Sequence, residues 1–175
     1  MSRTARVGAG KMVLLVALLL YGCAYGYRNI KKKPPDLRNV THVRVEVPTG
    51  TIATKDEADQ LARLLTWKLR DSGRFATVDS NATPLQKPDA VRLVAEIIDM
   101  KRVSDYDRAA PGGGIAAGRG WIQLRVYLHD GATDAVIGEF EVEGFTSAGT
   151  IFAGTTSHAM DEAATTVAEI VLGDE

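Results

Sequence analysis

In the stretch HVRVEVP, Val43, Val45 and Val47 alternate with His42, Arg44 and Glu46, the period-two pattern of a half-buried strand. Pro48 and Gly50 end it. The next stretch, TKDEADQLARLLTWKLRDSG, places Ala58, Leu61, Leu64, Leu65 and Leu69 at helical spacing. Thr54 and Glu57 have the spacing of a capping box, and Gly73 stands where a helix C-terminal glycine is expected. A short extended piece, RFATV, then leads into a polar loop with Pro84 and Pro88. In AVRLVAEIIDMKRV, Val91, Leu93, Ala95 and Ile97 share one strand face, and Ile98 marks a bulge or a switch. Two further strands follow. Trp121, Gln123, Arg125 and Tyr127 oppose Ile122, Leu124, Val126 and Leu128; Val136, Gly138, Phe140 and Val142 oppose Ile137, Glu139, Glu141 and Glu143. The DGATD between them has hairpin chemistry, so these two strands are expected to be antiparallel neighbours. The last element, SHAMDEAATTVAEIVLG, carries Ala159, Met160, Ala163, Ala164, Val167, Ile170 and Val171 as a helical stripe. The order predicted is β-α-β-β-β-β-α: an α+β fold whose mostly antiparallel sheet of 4–5 strands has two helices on one face.

The N-terminal pattern is different. The apolar run from Met12 to Gly22 is about eleven residues, whereas a helix crossing a bilayer needs roughly twenty. Arg3, Arg6 and Lys11 precede it without an acidic residue, as in the charged region of a secretory signal. The run ends at the chain's single cysteine. Leu20, Tyr21, Gly22 and Cys23 resemble the lipobox of bacterial lipoproteins. That resemblance implies cleavage between Gly22 and Cys23, a diacylglycerol thioether on Cys23 and acylation of the new amino group, with palmitate a typical acyl chain. Each buried methylene adds roughly 0.8 kcal/mol to membrane affinity, so several chains make a durable anchor. Ala24 follows instead of Asp; under the sorting rule of enteric-type lipoproteins this implies release to the outer membrane, facing the periplasm. A buried thiol behind an ordinary cleaved signal is the alternative reading of Cys23.

Three segments follow from this: a signal peptide over 1–22, a lipidated flexible tether over 23–40 and a single α+β domain over 41–175. The tether reading rests on AYGYRNIKKKPPDLRN, where Arg28, Lys31, Lys32, Lys33 and Arg38 surround a proline pair without apolar periodicity. Cations there favour anionic headgroups or simply aid solubility. A lone cysteine makes no internal disulfide. The formal net charge is −1, and loss of Arg3, Arg6 and Lys11 with the leader takes it to about −4, which argues against nucleic acid as a partner.

The helix ending in DSGRFATV, the hairpin GRGWIQLRVYLHDGATDAVIG and the closing alanine-rich helix resemble the small bacterial lipoprotein family known as domain of unknown function 4410. The resemblance covers about Val40 to Leu172 and rests on strand patterns and on Phe75, Gly118 and Gly120. It implies a lipid-anchored envelope protein with no established activity, so no catalytic residue is carried over. The element order is also similar to periplasmic envelope-assembly domains, such as lipoprotein subunits of polysaccharide or lipopolysaccharide export machines, as an analogy of fold.

Candidate chemistry in the remaining residues is sparse. PGGGIAAGRG lacks the Gly-Lys-Ser/Thr ending of a phosphate-binding loop and leads into a strand, so it reads as a flexible connection. His42, His129 and His158 have no metal-ligand spacing. Asp99, Asp105 and Asp107 near Arg102 and Arg108 read as a mixed-charge strand end, with an acid–base carboxylate pair as the alternative. Trp67 and Trp121 are expected at edges of the core, or else as interface anchors. No metal or cofactor is expected. The reading is a non-catalytic envelope lipoprotein acting through protein contact in assembly or export, with membrane and envelope proteins as partners. A binding module for a small ligand, lipid or glycan is the alternative, and a hydrolase the third class.

Overall fold

In the computed structural model, residues 27–80, 87–104, 106, 119–146 and 155–173 are described. The segment 1–22 predicted as a signal, with Gly22, and also Cys23, Gly118, Asp105, Asp107 and Arg108 lie outside them. The elements are β1 (Tyr27–Lys32), β2 (His42–Glu46), α1 (Lys55–Asp71), β3 (Thr77–Asp79), β4 (Ala90–Lys101), β5 (Trp121–Asp130), β6 (Val136–Phe145) and α2 (Thr156–Leu172).

The sheet has six strands in the order β1-β6-β5-β4-β2-β3, one more than the upper end of the predicted range. The extra strand is β1. Tyr27–Lys32, assigned from sequence to the tether, pair antiparallel with β6, with Tyr27 opposite Glu143 and Ile30 opposite Phe140. The sheet is also mixed. β2 runs parallel to both β3 and β4; α1 carries the chain back over the sheet between β2 and β3, which makes that pair parallel. The remaining pairs, β1-β6, β6-β5 and β5-β4, are antiparallel. The register of β4 against β5 shifts between Ile97 and Asp99, the place where the sequence predicts a bulge or a switch at Ile98.

Both helices lie on one face. Along α1 the expected box closes: Thr54 N–H donates to Glu57 Oε2 at 2.7 Å, and Glu57 N–H donates to Thr54 Oγ1 at 3.3 Å. Leu61, Leu65 and Leu69 are fully buried, each contributing roughly 1.5–3 kcal/mol relative to exposure. The α2 stripe is buried throughout, and α2 crosses directly above Gly144 of β6. A Cβ at Gly144 would overlap the Ala159 carbonyl oxygen and sit 2.7 Å from Ala163 N, so only glycine allows this approach. The strands supply the floor with Val43, Val45, Leu93, Ala95, Ile122, Leu124, Val126, Leu128, Phe140 and Val142. Phe75, on the connection after α1, joins the same core.

One sequence expectation fails inside β2. Arg44, read as a solvent-facing residue, is buried. β2 lies between β4 and β3, and Arg44 Nε sits 3.5 Å from Asp79 Oδ1 on the neighbouring strand.

Candidate functional site

Alternation along β4, β5 and β6 sends the apolar set to the helices and leaves the polar set on the opposite face of the sheet. The registers sort that face into rungs. Arg92 lies across from His129 and from Arg44; Glu96 across from Arg125, which faces Glu141; Lys101 across from Trp121, which faces Phe145. Among the described residues no helix covers this face.

Its charges are organised by cross-strand pairing. Arg125 Nε donates to Glu141 Oε1 at 3.1 Å, and Lys31 Nζ of β1 reaches the same oxygen at 2.8 Å. These bonds, that from Lys31 first, hold the Glu141 carboxyl below the usual glutamate range and raise the Lys31 ammonium. Arg92 spans two carboxylates, Glu46 at 3.1 Å and Asp134 at 2.6 Å. At the last rung the Arg119 guanidinium lies 4.7 Å from the centroid of the Phe145 ring. Gly120 and Thr146 close that end through Thr146 N–H to Gly120 O at 3.0 Å.

The residues singled out for chemistry are dispersed. His42 stands 3.7 Å from Asp89, His129 lies beside Asp134 at the hairpin, and His158 Nδ1 accepts from Thr155 N–H at the start of α2. Among the described residues no three metal-ligating side chains converge. Asp99 is exposed and accepts from Met100 N–H at 2.8 Å. Arg102 is bound instead to Glu57, with Nε and Nη2 at 2.7 and 2.8 Å from its two oxygens. That pair, with the capping bonds of Thr54, lowers Glu57 to about 2. Trp121 sits half-buried at the sheet's end, but Trp67 does not pack at a core edge: it projects from α1 with 59% of its surface exposed.

A cleft of about 390 Å³ lies between Pro34–Pro35 and the C-terminal end of α2. Arg38 and Arg74 line it, and both point at Asp36, with Arg38 Nε 2.6 Å from its carboxylate. Arg38 holds the Asp36 carboxyl below its usual range. Asp36 thus pairs with both arginines of this cleft. A second groove, beside Val47, Pro48 and Arg63, has a volume of about 580 Å³.

Sequence reasoning missed the role of Lys31. Its signal was present in β6, where Glu139, Glu141 and Glu143 alternate with buried residues and call for cations on an adjoining strand.

No family model and no curated protein matches the chain. Among solved structures, a single-residue variant of the PelC dodecamer from Paraburkholderia phytofirmans is similar in fold, with 16% identity, a TM-score of 0.57, and coverage of 83% of this chain and 97% of that one. The PelC dodecamer without that variation gives 17% identity, a TM-score of 0.53 and the same coverage. A DUF330 protein from Xanthomonas campestris aligns at 13% identity over 83% of this chain and 94% of that one, with a TM-score of 0.47. The α+β fold is therefore shared with PelC. Among the described residues no helix is long and apolar enough to cross a membrane.

Proposed function

We propose that the chain is a lipoprotein of the bacterial envelope, held at the periplasmic face of the outer membrane by acyl chains on Cys23. In this reading it has no catalytic role and serves as an accessory factor in assembly or export, through contact with protein. The observation that carries the contact is the sheet face that no described helix covers, where half-buried Tyr127 and Trp121 stand beside the cross-strand pairs Arg125–Glu141 and Arg92–Asp134. Aromatic residues are enriched at contact surfaces, and the cross-strand pairs neutralise part of the charge around these two.

The first partner proposed is a further copy of the same chain. The similarity in fold to proteins described as dodecamers supports this. A contact between two different surfaces of one chain closes into a ring when its rotation permits.

A photoactivatable residue placed at position 127 of the full-length protein in cells tests the proposal. Adducts at multiples of the chain's own mass are expected from position 127 and not from Asp71, which is exposed at the end of α1. Membrane-bound protein that gives no such adducts from position 127 would overturn the proposed self-contact.

A further inference from the structure

Pro34 and Pro35 form one wall of the cleft at the end of α2, and the fold holds that wall in place. Both prolines have a locked φ. Pro34 packs on Gly138 of β6, where an added Cβ would meet its Cα at 3.2 Å, and Leu37 just beyond is buried in the core. The opposite wall is the last turn of α2, where Ile170 and Val171 are buried. Ile30 of β1 borders the same space with 40% of its surface exposed. The volume of about 390 Å³ lies within the range of small-ligand sites, about 300–1,000 Å³.

The polar groups of the cleft differ in what they have left to give. Asp36 is occupied within its own loop: Oδ2 accepts from Arg38 Nε at 2.6 Å, and Oδ1 accepts from Arg38 N–H at 2.9 Å. Arg74 stops 4.0 Å short of that carboxylate, a charge contact without a hydrogen bond. It is half-buried, and among the described residues no acceptor lies within hydrogen-bond distance of its guanidinium. The planar fork of a guanidinium matches a carboxylate. At the end of α2, Gly173 N–H is donated to the carbonyls of Glu169 and Ile170. The next carbonyls, those of Val171 and Leu172, receive no donor among the described residues.

A guanidinium, carbonyl acceptors and aliphatic walls in one cleft match a ligand that carries a carboxylate, an N–H and an aliphatic body. The end of a peptide chain has all three within one residue. We infer that this cleft takes the free C-terminal end of a peptide whose last residue is aliphatic. Its carboxylate lies on Arg74, its last N–H on the carbonyls that end α2, and its side chain between Ile30 and Ile170. Lys33, Arg38 and Arg74 outnumber Asp36 around the cleft, so the local field favours an anion. Capture of a terminal carboxylate is a recurring mode of peptide recognition. The site stands whether or not Cys23 carries lipid.

Calorimetric titration of the full-length protein in detergent tests the inference, with N-acetyl-alanyl-leucine, its C-terminal amide and acetate as probes. Saturable binding of the free acid is expected. Amidation of the probe, and separately Arg74→Gln, should each weaken it roughly 10- to 100-fold, the range for a hydrogen bond to a charged group. Arg63→Gln, exposed on α1, is the control and should bind as the native protein does. The comparison of acid with amide uses the native chain, so it does not depend on how Arg74→Gln folds. No saturable binding of the free acid, equal binding of acid and amide, or acetate binding as tightly as the dipeptide overturns the inference.

Discussion

Lys31 Nζ lies 2.8 Å from Glu141 Oε1, and this bond ties the segment after Cys23 into the sheet. Arg28 adds an ion pair to Glu169 of α2 on the other face. β1 is consequently part of the folded domain, covering an edge of β6 that would otherwise present unpaired backbone groups. A chain starting at residue 34 is expected to melt at a lower temperature than one starting at residue 24 and to associate as its concentration rises. Equal melting temperatures and equal solution masses would show that β1 contributes nothing to the domain.

Gly144 lies under the Ala159 carbonyl, with no room for a methyl group. Gly144→Ala is expected to push α2 off the sheet and cost about 1–3 kcal/mol, the range for overpacking. Gly50, whose added Cβ would meet nothing within 4 Å, is the control. Urea midpoints of Gly144→Ala and Gly50→Ala check the contrast.

Glu57 has its pKa lowered from 4.5 to about 2 by Arg102 and by the Thr54 cap. A carboxyl depressed by folding stabilises the folded state fully above its unfolded pKa, and that contribution is lost as pH falls through the folded one. The advantage of the native protein over Glu57→Gln should therefore be complete above about pH 4.5 and fade towards pH 2. Denaturation curves of both proteins across that window read it directly. Thr54→Ala, which removes the cap's side-chain acceptor, is expected to cost about 1 kcal/mol.

Trp67 is 59% exposed on a helix whose Leu65 is fully buried two residues away. Trp67→Ala should leave stability within about 0.5 kcal/mol of the native protein. Leu65→Ala, which opens a cavity between α1 and the sheet, should cost about 2–5 kcal/mol. Thermal unfolding of the two variants separates them.

The elements easiest to read from sequence were those whose signals are local. The Thr54–Glu57 cap, the α2 stripe and the β5–β6 hairpin each depend on residues close together in the chain. β1 depends on β6, 110 residues away at Lys31 and Glu141. As an edge strand it has no continuous apolar face: Arg28 pairs with α2 on one side and Lys31 with Glu141 on the other, so its alternation is of charge rather than hydrophobicity. The parallel placement of β2 beside β4 was hidden for the same reason, and with it the burial of Arg44 between its neighbours. The polar face could be read from the glutamates of β6, but its partners could not, because register is set by pairing across distant strands.

The proposed placement in the envelope rests on the anchor at Cys23. Intact mass and membrane fractionation of the native protein beside Cys23→Ser, expressed in the same cells, test it most directly. The native form is expected to lose residues 1–22, gain acyl mass and sediment with the outer membrane, while Cys23→Ser does none of these. A native protein that is unlipidated and fractionates as Cys23→Ser does would contradict it.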